Sequence, residues 1–575
     1  MADWCWRIAE SIPDGVAVVL EGWPPLIRQL LFNRGLLDPT QIEQFIYPES
    51  GEMHDPFLLR GMDLAVDRVF DALRNEELIA IYGDFDVDGL TATSLLLEVL
   101  QSHLLQGHVI SYLPHRGREG YGLNQDAIRG LAEQGVRLLI TVDCGIGADA
   151  ETQLAADLGI DVIVTDHHRI SEGLPPAVAV LNPKQDGCEY PFRDLAGVGV
   201  AYKLAEALLF RVFGDLAEAR RRLRPQMDLV ALGTVADLAP LLSENRLMVK
   251  MGLQQMNRGE RMGLRCLLDV AGYVGRSIDA ESIAYVLGPR LNAAGRMGDA
   301  RLSLELLTCQ SQEDGARMAA ELDAANKDRQ AATLAALSVA REELARMESL
   351  PPALVLAGDY PAGIVGLVAS RLAEEYRRPS FVIEMGEEEC RGSGRGLPGF
   401  DVLRALAGAS ELLMRYGGHV QAGGFALDPS RLPDLRDRLE AAAQEQMGSD
   451  VPLPQLSLEA RVDPKQIGPA LYEELQLLEP YGVGNPRPLF YSKQLLVRNA
   501  RIVGNNHLKL WLSDQSGRCA AIGFGLGGEQ YAFARSGARV DCAFTLSRNE
   551  RNGTVAYEMI LKDLRSADRH GPLLA

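Results

Sequence analysis

Leu78-Ile79-Ala80-Ile81-Tyr82-Gly83-Asp84-Phe85-Asp86-Val87-Asp88-Gly89 decides how the first third of this chain folds. The run from Leu78 to Tyr82 is short, apolar and β-branched, as a buried strand requires. Three carboxylates at alternate positions follow it, and a helical pattern, Leu90–Leu105, begins at once. The same alternation recurs. Apolar runs at His108–Leu113, Leu138–Val142, Val162–Thr165 and Ala177–Leu181 are separated by helical patterns such as Asn124–Gln134 and Ala148–Leu158. Such alternation predicts a mostly parallel sheet with helices on both faces, and ligands of such sheets collect at the carboxyl ends of the strands. Asp84, Asp86 and Asp88 stand at one such end, Asp143 at a second, and Asp166, His167 and His168 of Thr165-Asp166-His167-His168 at a third. Taken singly, an Asp-rich turn is as well explained by a helix N-cap, and paired histidines by a solvated surface. Three strand ends that all carry metal-ligand side chains are not explained by capping.

Outward from this core, residues 1–60 are a mixed lead-in with Pro-containing turns, and a helix is expected near Leu64–Leu73. From Pro225 to about Arg301 the pattern is helical. Asp237 closes Met227-Asp-Leu-Val-Ala-Leu-Gly-Thr-Val-Ala-Asp237, an apolar helix on which a carboxylate is costly to bury unless paired or metal-bound. It reads as a ligand delivered from outside the sheet, or else as an N-cap or a partner of Arg246. Leu304–Met347 predicts one long helix joining two lobes, ended by Pro351-Pro352. A second α/β segment follows, with strands at Leu354–Ala357 and Ser380–Ile383 around a helix at Ile364–Tyr376. Two glycine-rich loops, Arg391–Gly396 and Tyr416–Gly424, are expected there as a clamp on a nucleotide backbone. The tail predicts five short strands, Leu495–Val503, His507–Leu512, Cys519–Gly523, Val540–Leu546 and Val555–Leu561, with turns at Asn505-Asn506, Asp514–Gly517 and Asn549–Gly553. They fit a small OB-type barrel, with Trp511, Phe524 and Phe544 as stacking platforms or core.

At 575 residues the chain has room for about three or four domains. Expected boundaries are 1–60 for the lead-in, 61–303 for the first α/β lobe, 304–350 for the long helix, 351–450 for the second lobe and 451–575 for the barrel. The eight cysteines form no CxxC pair and read as buried hydrophobes of a reducing cytoplasm. Neither a signal peptide nor a membrane-spanning run is present, so a cytoplasmic protein without a membrane partner is expected. The net charge of −20 weighs against general polyanion binding, but a local basic groove and bound cations would offset it.

Asp84, Asp86, Asp88, Asp143, His167, His168 and Asp237 are too many ligands for one small cation. They suit two ions about 4 Å apart, a pairing fit for phosphate-ester hydrolysis. The mixed N/O set favours Mn²⁺, with Mg²⁺ as the alternative. Asp166 is placed behind a ligating imidazole, orienting it.

Gly83–Gly89, Thr141-Val-Asp-Cys-Gly-Ile146 and Asp166-His-His168 resemble the motifs of the DHH phosphoesterase superfamily. Arg116-Gly-Arg-Glu-Gly-Tyr-Gly122, Ala231–Leu241, Pro289–Gly298, Gly392-Ser-Gly-Arg395 and Gly417-Gly-His419 narrow the resemblance. From about residue 60 onward the chain is similar to the RecJ family of bacterial single-strand-specific DNA exonucleases. That resemblance implies a DHH catalytic lobe, a DHHA1 lobe and an OB domain around a groove. It implies 5′→3′ release of mononucleotides from single-stranded DNA with Mn²⁺ or Mg²⁺, in DNA repair and recombination. By matching motif, Arg116, Arg296, Ser393 and Arg395 would hold the 5′-terminal phosphate or adjacent backbone, and Asn292 and His419 would line the site. A monomer is expected, with single-strand-binding protein and a helicase as partners by resemblance only. Phe85 and Val87 stand where Tyr and Ala are frequent in the family, and Pro361 stands where a His is frequent. Two other readings remain: a DHH enzyme acting on short oligonucleotides or pAp, which would not need a barrel, and a non-catalytic replication scaffold, which would not need seven ligands.

Overall fold

Five parallel strands form the sheet that the opening stretch begins. They are β1 (Leu78–Gly83), β2 (Val109–Tyr112), β3 (Val136–Val142), β4 (Asp161–Thr165) and β5 (Ala179–Leu181), in the spatial order β2-β1-β3-β4-β5. The computed structural model describes residues 4–48, 53–104, 108–117, 119–170, 173–448, 454–504, 506–528, 531–551, 554–567 and 573–574. Leu105, Arg118, Asn505, Asn552 and Gly553, each part of an expectation above, lie outside the described residues.

Alternation along the strands sends side chains to two buried faces. Ala80, Tyr82, Leu139, Val162 and Val164 pack with Ala127, Ile128 and Leu131 of the helix Gln125–Glu133 and Ala155 of the helix Asp149–Asp157. Ile79, Ile81, Leu138, Ile140 and Ile163, on the opposite face, are fully buried. The helix Met62–Arg74, α1 (Val87–Val99) and α2 (Gly197–Phe213) pack there. Every strand therefore points its carboxyl end at one edge of the sheet, where the Asp and His motifs begin. The helix expected at Leu90–Leu105 starts earlier and continues past Val99 as a π-turn, Leu100–Leu104.

Three expectations for this unit need correction. Asp237 is not within a helix: α3 ends at Ala236 (Met227–Ala236) and Asp237 is its C-cap. The long helix does not start at Leu304. A helix Arg301–Thr308 ends first, Cys309 is extended, and the Ser311 hydroxyl accepts from Asp314 N–H to start a new helix. Before Arg301–Thr308 lies α4 (Gly288–Met297), and the new helix after the break is α5 (Gln312–Ala345). The glycine-rich segments are not loops. They are strands of a mixed five-stranded sheet formed by β6 (Leu354–Gly358), β7 (Ser380–Glu384), β8 (Cys390–Arg395), β9 (Arg415–His419) and β10 (Ala422–Leu427), ordered β9-β10-β8-β7-β6. Glycine is needed because aromatic rings lie on the backbone. A Cβ at Gly392 would stand 2.2 Å from the Phe425 ring, and one at Gly394 would stand 2.5 Å from Phe381. Between β6 and β7 runs α6 (Val365–Tyr376). All of this belongs to one compact unit, His54–Ala239 with Met248–Pro452.

The other unit comprises Met1–Met53, Pro240–Leu247 and Leu453–Ala575. Its strands β11 (Phe490–Val503), β12 (His507–Ser513), β13 (Arg518–Gly523), β14 (Arg539–Arg551) and β15 (Thr554–Ser566) close into a ring. The strand β11 pairs with both β12 and β14, β13 runs parallel to β15, and β14 pairs with β15. Closure leaves no open edge, as in an OB-type barrel. Phe544 is core, packed against Phe490, and no stacking platform, whereas Trp511 and Phe524 are 48% and 58% exposed. The lead-in does not stand apart. Cys5–Ile8 pairs in parallel with Gln455–Leu458, and Ile27, Leu30, Leu31, Ile42 and Phe45 join the barrel core.

Candidate active site

The seven candidate ligands come together at the carboxyl edge of the first sheet. Three groups have donor atoms all within 4.8 Å of one another: Asp84, Asp86 and Asp143; Asp143, His167 and His168; and Asp88, His167 and Asp237. Asp143 and His167 are each shared between two groups, so the cluster is continuous. His167 Nε2 lies 3.1 Å from Asp143 Oδ1 and 3.9 Å from Asp88 Oδ2, and His167 Nδ1 lies 3.9 Å from Asp237 Oδ2.

Local structure sets each carboxylate in place. Asp86 does cap α1: its Oδ1 accepts from the Asp88 and Gly89 amides at 2.9 and 3.2 Å. Capping and metal ligation are therefore compatible roles for one side chain with two oxygens. Asp88 is gripped by the start of α2, whose Gly197 and Val198 amides donate to its two oxygens at 2.7 and 2.8 Å. Asp143 sits in the left-handed region at φ 60°, and its N–H donates to Thr165 O. Asp237 stands at the carboxyl end of α3, where the helix dipole disfavours a negative charge and a bound cation would offset it.

Asp166 is fully buried and fully bonded. Its Oδ1 accepts from the His167 and His168 amides and from His168 Nδ1 at 2.7 Å, and its Oδ2 accepts from Ile146 N–H at 2.9 Å. A carboxylate can only accept when ionised, so His168 Nδ1 carries the proton and Nε2 is left for a cation. Burial opposes ionisation of Asp166, yet the His168 hydrogen bond and charge hold it below the ordinary range. Burial would also strip the proton from His168, but Asp166 raises it to about 9. His167 is pushed down to about 3 by burial and by the His168 charge.

The other carboxylates go the opposite way. Burial, then the neighbouring carboxylates, push Asp84, Asp88 and Asp143 well above the usual value, and Asp237 to about 7. Asp84 Oδ1, Asp143 Oδ1 and His167 Nε2 are buried without a hydrogen-bond partner among the described residues. Orphaned acceptors within a mutually repelling carboxylate cluster are what a divalent cation satisfies, so the residues present fit such ions.

Beside this cluster lies a cationic one. The Arg116 guanidinium lies 4.9 Å from the centre of the Phe85 ring and within electrostatic reach of Asp84 and Asp86. Arg395 Nη1 donates to Ser393 Oγ at 2.6 Å, and Arg296 Nη1 donates to Gly363 O at 3.3 Å. Burial, then the charges of Arg116, Arg329 and Arg395, push Arg296 down to about 9. Asn292 Oδ1 accepts from Val87 N–H at 3.2 Å and so holds the Asp84–Asp88 turn, and the His419 ring lies parallel to His168 at 6.0 Å. Sequence reasoning missed three residues. Tyr121 donates its hydroxyl to Asp143 O at 3.1 Å, Lys184 Nζ donates to His167 O at 2.6 Å, and Arg329 joins the arginines from α5. Tyr121 lies within a quoted motif, and Arg329 interrupts the apolar stripe of its helix; Lys184 has no local signal.

Two family models match, the DHH family N-terminal domain over residues 78–234 and the RecJ OB domain over residues 458–563. The single-stranded-DNA-specific exonuclease RecJ of Bacillus subtilis is 36% identical over 567 residues, covering 97% of this chain and 70% of that protein. The Salmonella typhimurium protein of the same name is 33% identical over 570 residues, covering 96% of this chain and 97% of its own. The chain belongs to the RecJ family. The fold agrees: the crystal structure of RecJ in complex with Mn²⁺ from Thermus thermophilus superposes with a TM-score of 0.82 at 32% identity, covering 98% of this chain and 79% of that one. The same Thermus protein in complex with Mg²⁺ gives a TM-score of 0.77 at 30% identity, covering 98% of this chain and 78% of that one. Among the described residues of this RecJ-family chain, no helix is long and apolar enough to cross a membrane.

Proposed function

We propose that this protein is a metal-dependent exonuclease that releases mononucleotides from single-stranded DNA in the 5′→3′ direction, acting in DNA repair and recombination. The observation that carries this reading is the adjacency of the seven-residue ligand cluster to half-buried arginines that make no ion pair with a carboxylate among the described residues. Asp84, Asp86, Asp88, Asp143, His167, His168 and Asp237 would hold two divalent ions, for which the mixed donor set suits Mn²⁺, with Mg²⁺ as the alternative. When bound, such ions supply activation of water and stabilisation of the departing oxygen.

The chain's own residues do the rest. The guanidiniums of Arg116, Arg296 and Arg395 and the Ser393 hydroxyl would donate to the 5′-terminal phosphate. Arg116 is the link between the two clusters, because it also feels Asp84 and Asp86. An end phosphate held there brings the first phosphodiester to the carboxylates, so one nucleotide leaves per cut. Asp166 keeps His168 in one tautomer, and Asn292 keeps the aspartate turn in place. None of these contacts reads a base, which fits sequence-independent degradation. The barrel supplies a further single-strand surface, for which Trp511 and Phe524 are the exposed aromatic candidates. By family resemblance alone, the protein would act in the cytoplasm as a monomer alongside a helicase and single-strand-binding protein.

The test is Mn²⁺-dependent release of mononucleotides from a 5′-phosphorylated single strand by the protein and by its Asp143→Ala and His168→Ala variants. Loss of hydrolysis in both variants with cooperative melting retained supports the assignment. Full activity in either removes it.

A further inference from the structure

The buried face of α5 changes character half-way along. Ala319 and Leu322 are buried before the middle, and Ala336, Ala340 and Leu344 after it. Between them the same face carries Asn326, Arg329 and Thr333. Helical spacing places all eight residues on one stripe. A 34-residue helix could have continued this stripe with Leu or Ala. Arginine there costs desolvation unless it gains a partner.

Arg329 has no anionic partner among the described residues. Its Nη2 donates to Asn326 Oδ1 at 2.9 Å, and its Nε is buried without a hydrogen-bond acceptor. Its helix packs against α4, which carries Arg296. Arg290 on α4 and Asp323 on α5 form an ion pair at 2.9 Å. Six residues further along each helix, about 9 Å of rise, come Arg296 and Arg329. They are close enough for the Arg329 charge to act on Arg296. Arg116, Arg296, Arg329 and Arg395 thus form a set of four guanidiniums, and none of them pairs with a carboxylate among the described residues. Two or three suffice for a monoanionic phosphodiester. Four suit a terminal phosphate, which carries about two negative charges at neutral pH and three free oxygens.

We infer that Arg329 is a specificity-determining residue that contacts the 5′-terminal phosphate from the connecting helix and sets the preference for a phosphorylated over a hydroxyl 5′ end. The inference rests on the proposed single-strand exonuclease reading and its phosphate subsite. Asn326 holds the guanidinium from one side and leaves Nε and the second terminal nitrogen for the ligand. A helix that joins the two lobes thereby takes part in recognising the strand end.

The test is steady-state cleavage of matched oligothymidylates carrying a 5′-phosphate or a 5′-hydroxyl, with Mn²⁺. The enzymes are the unmodified protein and its Arg329→Ala, Arg329→Lys and Arg296→Ala variants, with thermal melting of each. Arg329→Ala is expected to lower the ratio of kcat/KM for phosphate over hydroxyl ends by about ten-fold, mostly through KM, as for one lost charge-assisted hydrogen bond. Arg329→Lys is expected to recover part of the ratio. An equal loss on both strands, or an unaltered ratio, overturns the assignment of Arg329. If the unmodified protein itself shows no preference, the phosphate subsite fails. If it shows one that Arg296→Ala abolishes and Arg329→Ala does not, only the present inference fails.

Discussion

Gly197→Ala is a one-carbon change that should disable the site without touching a ligand. Gly197 opens α2, and a Cβ built on it would lie 2.7 Å from Asp143 Cβ and 2.8 Å from Asp143 Oδ1. Ordinary carbon–carbon contacts lie at about 3.5–4.0 Å, so one partner must retreat by about 1 Å. Neither can do so freely. Asp143 is tied through its N–H to Thr165 O and through its carbonyl to the Tyr121 hydroxyl. The start of α2 is tied through the Gly197 and Val198 amides to Asp88. Whichever gives way, a ligand moves. Overpacking of this kind costs about 1–3 kcal/mol of stability, whereas a displacement of about 1 Å in a catalytic group costs on the order of 10²-fold in rate. The expected result is therefore a folded protein with kcat/KM on a 5′-phosphorylated single strand down about a hundred-fold and weaker Mn²⁺ binding. Gly199→Ala, two positions further along the same helix, is the control. Its Cβ meets Leu195 at 3.4 Å, an ordinary contact, so activity should survive. Full kcat/KM in Gly197→Ala would refute the claim that Asp143 and Asp88 must keep these positions.

Other perturbations probe separate parts of the account. Asp166→Asn keeps the shape but loses the carboxylate that orients His168, so Mn²⁺ affinity measured by titration calorimetry should fall about 10–100-fold; an unaltered affinity would show that His168 needs no such support. In EDTA, stability should fall between about pH 6.5 and 8. Asp237 at about 7 and His168 at about 9 both bind protons in the folded protein that the unfolded chain has released, while His167 at about 3 is neutral in the fold throughout this window. Saturating Mn²⁺ should abolish that fall, and a Tm that rises with pH in EDTA would contradict the sign. In the barrel, Trp511→Ala should weaken single-strand binding by about 1–3 kcal/mol with little change in melting, whereas Phe544→Ala should destabilise by about 3–5 kcal/mol. Intrinsic fluorescence and denaturant unfolding separate the two effects.

Much of the catalytic lobe was legible because its signals are local. A buried parallel strand must be apolar along its whole length, so Leu78–Tyr82 and Val162–Thr165 stand out, and a ligand that follows such a run must lie at the sheet's carboxyl edge. What was not legible depends on distant partners. Arg391–Gly396 and Tyr416–Gly424 read as loops because glycine favours turns, yet Phe425 and Phe381 lie on those glycines and make them strands. Cys5–Ile8 gives no hint that its strand neighbour is Gln455–Leu458, near the other end of the chain. Asp237 follows an apolar helix closely enough to be counted within it, although the helix ends one residue earlier. Arg329 was visible only as a polar interruption of a long helix, a pattern whose meaning depends on which side chains of other helices face it.

The central claim is most directly tested by end-labelled substrates. The protein with Mn²⁺ is incubated with one single strand labelled at its 5′ end, the same strand labelled at its 3′ end, and a blunt duplex of the same sequence. The account predicts that the 5′ label appears first as a mononucleotide, that the 3′ label persists on progressively shorter strands, and that the duplex resists. Early loss of the 3′ label, or degradation of the duplex at the same rate, would contradict it.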